Sequence, residues 1–329
     1  MKVLLTGGFG TVGLSILDLL IAKGYEVTVF ETSNKNTMRQ ARRYSSRLAA
    51  VLFGDIRNVS DVDKAVAGQE VVVHCAAIVP PYSDENKKLC FDVNVGGTQN
   101  IVRAITKHNN AAPLVFTSSA SVMGPTQDRE PPVSAMDPLN PIDNYAQSKA
   151  DAENLVRTSG IRYCILRLGA VMIRSFVNNI QQFKLAFEIP LRARCEVVVD
   201  FDVATAVVHA AEIISEDGLI DGATFFIGGG KQNGCQITAL EMYEAIFTPL
   251  GIKVPPASLF SDNLNNYYID WYDTEQAQHI LDFQNHSLDE YRSILGEKYR
   301  LLVPLTKVGG PAINMYFRSK SPYVSKKRR

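Results

Sequence analysis

In the stretch NPIDNYAQSKA, residues 140–150, the phenol of Tyr145 and the amine of Lys149 stand four positions apart, with no proline after Pro141. On a helix that spacing brings both side chains onto one face. An ammonium beside a phenol favours the phenolate. It lowers a pKa of about 10 toward the range where the group can exchange a proton with an alcohol oxygen. The same spacing also occurs by chance on solvated helices, so the surrounding elements must decide what the pair does.

A second reactive pattern lies in TGGFGTVG, residues 6–13, where Gly7, Gly10 and Gly13 form a GxxGxxG frame. It follows an apolar run, KVLL, and opens an amphipathic one. In a strand–turn–helix setting, small residues let the backbone approach a pyrophosphate, and the free N–H groups of the helix start attract it. Phe9, Thr11 and Val12 share that loop and are expected at the same ligand. Glu31 ends the next strand, where a carboxylate can accept from the two ribose hydroxyls of an adenosine and repel a 2′-phosphate. NAD is thereby favoured over NADP, with Arg39, Arg42 and Arg43 as the counterweight. Asp55 and Ile56, in GDI at the end of a third strand, reach the edge where adenine would lie; taken alone, Asp55 reads equally as a turn residue.

These groups need elements to hold them. Short apolar runs are expected as strands at 2–5, 26–30, 48–53, 70–75, 113–118 and 162–168. Helical patterns separate them, at 12–23 and 96–107 for example. That rhythm predicts an α/β fold with a Rossmann-type doubly wound parallel sheet. Beyond about residue 168 the rhythm loosens, with strands at 196–200 and 223–230 and helices at 203–214, 237–249 and 274–281. The expected organisation is a nucleotide-binding part at 1–170, a smaller substrate-binding region at 171–315 partly interleaved with the sheet, and a basic, flexible tail at 316–329.

The bulk numbers exclude several classes. Thirty-four basic side chains balance thirty-four acidic ones, so no global field points to nucleic acid or a membrane, and a small-molecule substrate is expected. The cysteines at 75, 90, 164, 195 and 235 form no CxxC pair, so neither a metal site nor a disulfide framework is expected. Without a signal-peptide pattern or a long apolar run, the expected location is the cytoplasm.

Taken in order, TGGFGTVG, GDI, HCAA, VNVGGTQNIV, FTSSASVMG and YAQSK resemble the extended short-chain dehydrogenase/reductase family of NAD-dependent epimerases, dehydratases and hydroxysteroid-type dehydrogenases. The likeness is firm over about the first 170 residues. It implies a Ser–Tyr–Lys triad of Ser119, Tyr145 and Lys149, with Tyr145 and Lys149 also at the cofactor, Ala76 beside it, and a homodimer through the helices at 96–107 and 145–157. Ser119 would hold the substrate oxygen at a strand end facing the ligand crevice.

Other residues have weaker claims. His74 reads as a buried, satisfied histidine or a cofactor neighbour, and Asn94 as a structural or cofactor-facing amide. Arg194 stands where many sugar-nucleotide members keep an arginine for phosphate, but it reads first as an ordinary surface arginine. Trp271 and Tyr272 pack the second half or floor a pocket. The run SKKRR, residues 325–329, reads as a solvated end, with contact to an anionic membrane or to nucleic acid as the alternative.

Departures from the resembled pattern narrow the reaction. Dehydratases carry Thr-Asp-Glu where this chain has Ser119, Ala120 and Ser121, so the acid and base for water elimination are missing. Epimerases carry Asn-Pro after the sixth strand and a tyrosine at the position of Met123; here the text is RLGAVMIR and SVMG. The expected activity is hydride transfer between NAD and a secondary alcohol or ketone. The alternative is a nucleotide-sugar epimerase with tightly bound NAD, and a non-catalytic NAD-binding regulator is the third reading.

Overall fold

The computed structural model describes residues 1–108, 112–174, 183–216 and 218–324. In chain order its strands are β1 (Lys2–Thr6), β2 (Glu26–Glu31), β3 (Ala50–Phe53), β4 (Val71–His74), β5 (Leu114–Ser119), β6 (Tyr163–Leu168), β7 (Ala170–Met172), β8 (Arg194–Val199), β9 (Ala223–Ile227) and β10 (Gln236–Thr238). The helices of the first half are α1 (Thr11–Ala22), α2 (Lys35–Tyr44), α3 (Val59–Val66), α4 (Tyr82–Glu85), α5 (Lys87–Phe91), α6 (Gly97–Lys107) and α7 (Asn144–Arg157). Those of the second half are α8 (Phe183–Ala186), α9 (Asp200–Glu216), α10 (Ala239–Phe247), α11 (Glu275–Leu281), α12 (Leu288–Tyr299), α13 (Val303–Val308) and α14 (Gly310–Lys320).

Seven strands form one sheet in the order β3-β2-β1-β4-β5-β6-β9, every pairing parallel. Its central strands are buried runs of Val, Leu and Ile because helices cover both faces. The strand order reverses between β1 and β4, so the glycine loop after β1 and the ends of β4 and β5 open onto one crevice. Interleaving has a physical cause: β9 pairs with β6, and α9 buries Val203, Val207 and Ile214 in the core that also holds Ile16, Leu17 and Leu20 of α1. A second sheet, β10-β8-β7, carries the substrate-side region.

Most strand and helix ends shift by a few residues, α9 for example starting at Asp200 rather than residue 203, and larger departures occur at residues 237, 96 and 316. Ile237, expected to open a helix, belongs to β10 and pairs with Cys195; the helix starts at Ala239 behind a Thr238–Glu241 capping box. The helix expected from residue 96 is preceded by a π-helical turn, Asp92–Gly96. No flexible tail starts at residue 316, because α14 runs through it with Phe317 buried and only 4% exposed. The SKKRR run lies outside the described residues.

Candidate active site

The loop after β1 depends on glycine at two positions. Gly7 has φ +69°, and a Cβ there would sit 2.8 Å from the Ala76 backbone. At Gly13 a Cβ would lie 2.1 Å from the Gly7 carbonyl oxygen, so α1 can start this close to β1 only without a side chain. Gly10 is less constrained; it is the N-cap of α1 and no side chain caps the helix start. The first-turn N–H groups are therefore open to an anion, with no acidic residue in that turn to repel it. Thr11 and Val12 line the cavity that begins here, whereas the Phe9 ring is packed in the core 6.3 Å from the Tyr44 ring.

Glu31 closes the nucleotide end of this cradle. Its carboxylate accepts from the Phe9 amide at 3.4 Å and the Thr32 amide at 3.0 Å, while burial pushes its pKa up. A half-buried carboxylate beside the glycine loop fits a ribose diol and disfavours a phosphate in the same place. Arg39, Arg42 and Arg43 are exposed on α2. Asp55 is held by Arg57, which reaches it through Nε at 3.0 Å and Nη2 at 2.5 Å and keeps its carboxyl below the usual range. Ile56 is buried, packed on Gly97, and its carbonyl accepts from Asn100.

A chain of buried hydrogen bonds fixes the β4 end. The Thr98 hydroxyl donates to the Asn94 carbonyl at 2.6 Å, so it must accept from His74 Nε2 at 3.1 Å. His74 Nδ1 then accepts from the Thr6 hydroxyl at 2.7 Å, and Thr6 accepts from the Ala76 amide at 3.2 Å. Burial holds the His74 pKa near about 3, so the ring is neutral, the satisfied structural histidine of the two readings. Asn94 sits in the π-turn, bonds both backbone groups of Ile78 at 2.7 and 3.0 Å, and donates to Ser148 at 2.9 Å. It ties the loop after β4 to α7.

The three candidate catalytic side chains converge at the ends of β5 and α7. Ser119 ends β5, and its hydroxyl both caps the following turn, accepting from the Ser121 amide at 3.2 Å, and hydrogen-bonds the Tyr145 phenol. Asp143 caps α7 and sets Tyr145 on its first turn. Lys149 is buried one turn on, donates from Nζ to the Thr117 carbonyl at 2.8 Å, and lies 4.7 Å from the Phe116 ring centroid. Burial pushes the Tyr145 phenol up, the Ser119 hydrogen bond pulls it down, and the Asp143 carboxylate pushes it up again. Burial also lowers Lys149 to about 8. Lys149 therefore points its charge at the β5 backbone, and the phenol's hydrogen-bond partner is Ser119.

Around this point opens a cavity of about 480 Å³ reaching from Thr11 and Ser119 to Met242 and Tyr243. No Lys, Arg, Asp or Glu lines it among the described residues. Tyr267 and Tyr268 line it too, their rings stacked 4.2 Å apart and the Tyr268 hydroxyl bonded to Asp143. This pair was missed from the sequence, although the aromatic run NNYYIDWY was its signal. Tyr272 walls the cavity and stacks on Phe226 at 4.6 Å, whereas Trp271 donates to the Ile237 carbonyl at 3.0 Å. Arg194 is not at the cavity: it forks onto buried Asp270 at 2.6 and 2.9 Å and donates to the Arg129 carbonyl, leaving no free fork for a phosphate.

Comparisons with known proteins bear on the family and the fold. The sequence profile of the 3-beta hydroxysteroid dehydrogenase/isomerase family matches residues 4–233. A 3-beta-hydroxysteroid dehydrogenase of Mycolicibacterium neoaurum is 28% identical over 284 residues, covering 77% of this chain and 71% of that protein. The human sterol-4-alpha-carboxylate 3-dehydrogenase, decarboxylating, is 29% identical over 242 residues, or 67% of this chain; the match spans 60% of the human protein, less than two thirds of its length. In fold, a UDP-glucose-4-epimerase from Stenotrophomonas maltophila, solved with bound NAD, superimposes with a TM-score of 0.74 at 19% identity, over 93% of this chain and 99% of that one. With a family profile running from β1 through the β9 end of the sheet, the chain belongs to the 3-beta hydroxysteroid dehydrogenase/isomerase family of the extended short-chain dehydrogenases, enzymes that work with NAD as oxidoreductases or epimerases.

Proposed function

We propose that the protein is an NAD-dependent dehydrogenase acting on a secondary alcohol or ketone carried by a bulky apolar skeleton of the sterol type, with Ser119, Tyr145 and Lys149 as its catalytic residues. The observation that carries the reading is the uncharged cavity in front of Ser119 and Tyr145. A buried diphosphate needs cations and hydrogen-bond forks, and a fused-ring hydrocarbon needs the Leu, Ile, Met and Tyr surfaces present here. The candidate phosphate ligand, Arg194, is committed to Asp270, which further disfavours a sugar nucleotide.

NAD supplies the hydride acceptor. For alcohol oxidation, Tyr145 takes the carbinol proton as phenolate while Ser119 donates to the substrate oxygen and orients it. Lys149, one turn along the same helix, supplies the positive charge that would favour the phenolate once Tyr145 gives up its proton. Tyr267, Tyr268 and Tyr272 bound the space where the ring system would lie and exclude water from it.

The test is a substrate panel of hydroxysterols, small secondary alcohols and sugar nucleotides, read by the absorbance of reduced nicotinamide. Stoichiometric NADH with a hydroxysterol is expected. Inversion of a sugar-nucleotide hydroxyl without net NADH would replace this reading with the epimerase.

A homodimer and a cytoplasmic location complete the proposal. Exposed Gln99 and Arg103 of α6 and Gln147 of α7 offer a polar surface for a two-fold contact, and light scattering that gives the monomer mass would reject it. The cytoplasm fits five cysteines with no disulfide. Among the described residues no helix is long and apolar enough to cross a membrane.

A further inference from the structure

The phenol of Tyr145 stands among groups that oppose its ionisation. Asp143, two residues earlier, caps α7: its carboxylate accepts from the Ala146 amide at 2.7 Å and from the Tyr145 amide. It also accepts from the Tyr268 hydroxyl in the cavity wall. The Cys90 thiol of α5 and the Tyr267 phenol of the wall face Tyr145 as well, and either in its ionised form would repel a phenolate. Asp84, on the short helix α4 that packs against α7, adds a second carboxylate near Asp143. Lys149 turns its ammonium to the Thr117 carbonyl at 2.8 Å.

Capping alone does not account for a carboxylate at this position. Asparagine caps a helix as well as aspartate does, and it would bring no charge into a half-buried place beside Asp84. Burial pushes the Asp143 carboxyl up, and its hydrogen bonds to backbone amides and Tyr268 offset only part of that cost. The charge thus opposes folding slightly, and it falls on the phenol that the reaction uses, pushing it up.

We propose that Asp143 is a positioning residue that keeps Tyr145 in its proton-donating form and so sets the site for carbonyl reduction. The inference rests on the reading of Tyr145 as the proton carrier. In the reducing direction the carbonyl carbon receives a hydride from reduced nicotinamide and the carbonyl oxygen takes the phenol proton. The phenolate left on Tyr145 regains its proton from water. Reduction needs the phenol and oxidation needs the phenolate. A negative charge beside the phenol therefore extends reduction to more alkaline pH and delays oxidation until that pH is reached.

The experiment compares wild type with Asp143→Asn, which keeps the cap and removes the charge, in pH profiles of kcat/KM for a hydroxysterol and for its ketone. The alkaline limb of reduction and the acid limb of oxidation should both move to lower pH, by about half a unit to one unit. A second readout needs no substrate. Because the folded-state carboxyl is raised, the contribution of Asp143 to stability is present at low pH and is lost as pH rises through the folded value. The melting temperature of Asp143→Asn relative to wild type should therefore increase between about pH 4 and about pH 7. A relative melting temperature that does not change with pH would overturn the inference. So would unmoved limbs in Asp143→Asn when Tyr145→Phe has lost its turnover, and the triad would then stand without Asp143. Full turnover by Tyr145→Phe would instead overturn the proton-carrier reading, and this inference with it.

Discussion

Arg167 and Glu153 meet in a buried two-pronged ion pair, Nε to Oε1 at 3.0 Å and Nη2 to Oε2 at 2.8 Å. Glu153 lies two turns beyond Tyr145 on α7, and Arg167 stands on β6, so the pair pins the helix that carries Tyr145 and Lys149 to the sheet. Arg157 adds a second cation at 2.9 Å, and the remaining Arg167 donor reaches the Ala135 carbonyl at 2.8 Å. Met123, at the position where epimerases keep a tyrosine, places its sulfur 3.4 Å from the same guanidinium. The departure from the epimerase pattern therefore sits against the network that locates the catalytic helix.

Removing the carboxylate should be costly. Glu153→Ala leaves Arg167 buried without its counter-ion, a loss of about 3–5 kcal/mol measurable by urea denaturation. Burial pushes Glu153 up, but the hydrogen bonds and charge of Arg167, with Arg157, outweigh it and leave the folded pKa below the usual value. The pair's contribution is then present above the unfolded-state pKa and is lost as pH falls through the lower folded value. A Glu153→Gln protein should show a shallower loss of stability in acid. The same stability for wild type and Glu153→Ala at neutral pH would refute the pinning role.

The glycine loop gives a sharper steric prediction. Gly13→Ala puts a methyl carbon 2.1 Å from the Gly7 oxygen, so α1 must move away from β1. A loss of about 3 kcal/mol or more and weak NAD(H) binding are expected, read by melting and by nicotinamide fluorescence. Gly10→Ala meets its nearest neighbour at 3.1 Å and should fold better than Gly13→Ala while still binding cofactor poorly. Full cofactor affinity in Gly10→Ala would remove the loop from the site.

Cofactor choice rests on Glu31. With its carboxylate beside the Phe9 amide, Glu31→Ala should raise NADPH affinity relative to NADH, since the repulsion of a 2′-phosphate disappears and Arg39, Arg42 and Arg43 remain on α2. Competitive titration of both reduced cofactors measures this. A wild-type protein that already prefers NADPH would show that the α2 arginines dominate.

What the sequence made legible follows from the range of each signal. Gly7 and Gly13 meet within one loop, and Tyr145 and Lys149 stand one turn apart on one helix, so period and spacing expose these pairs, although not their distant partners Ala76, Ser119 and Thr117. β9 was readable as a strand, but its place beside β6 was not, because pairing between residues 59 positions apart, Cys164 with Ala223 through Leu168 with Ile227, leaves no local mark. The ion pair that commits Arg194 was hidden for the same reason: its partner Asp270 is 76 positions away. The cavity was illegible too, since Ser119, Met172, Met242 and Tyr268 come from four separate segments. The His74 tautomer needed two hydroxyl partners, Thr6 and Thr98, and the Asn94 carbonyl that fixes the Thr98 proton, groups that only the fold brings together.

The last prediction separates the roles of Tyr145 and Lys149. Tyr145→Phe removes the proton carrier and should cut turnover by at least about a thousandfold while leaving NADH affinity nearly unchanged. Lys149 behaves differently because burial lowers its pKa to about 8 from 10.5. If its ammonium helps hold the cofactor, NADH affinity should fall roughly tenfold between about pH 7 and about pH 9, as the charged fraction falls. Over the window from about 8 to 10.5 the folded protein binds fewer protons at Lys149 than the unfolded chain, so this residue's contribution to stability rises with pH. Lys149→Met should flatten both pH dependences, and fluorescence titration with parallel denaturation curves reads them. A pH-independent affinity in wild type together with an active Tyr145→Phe protein would move the proton chemistry away from this helix.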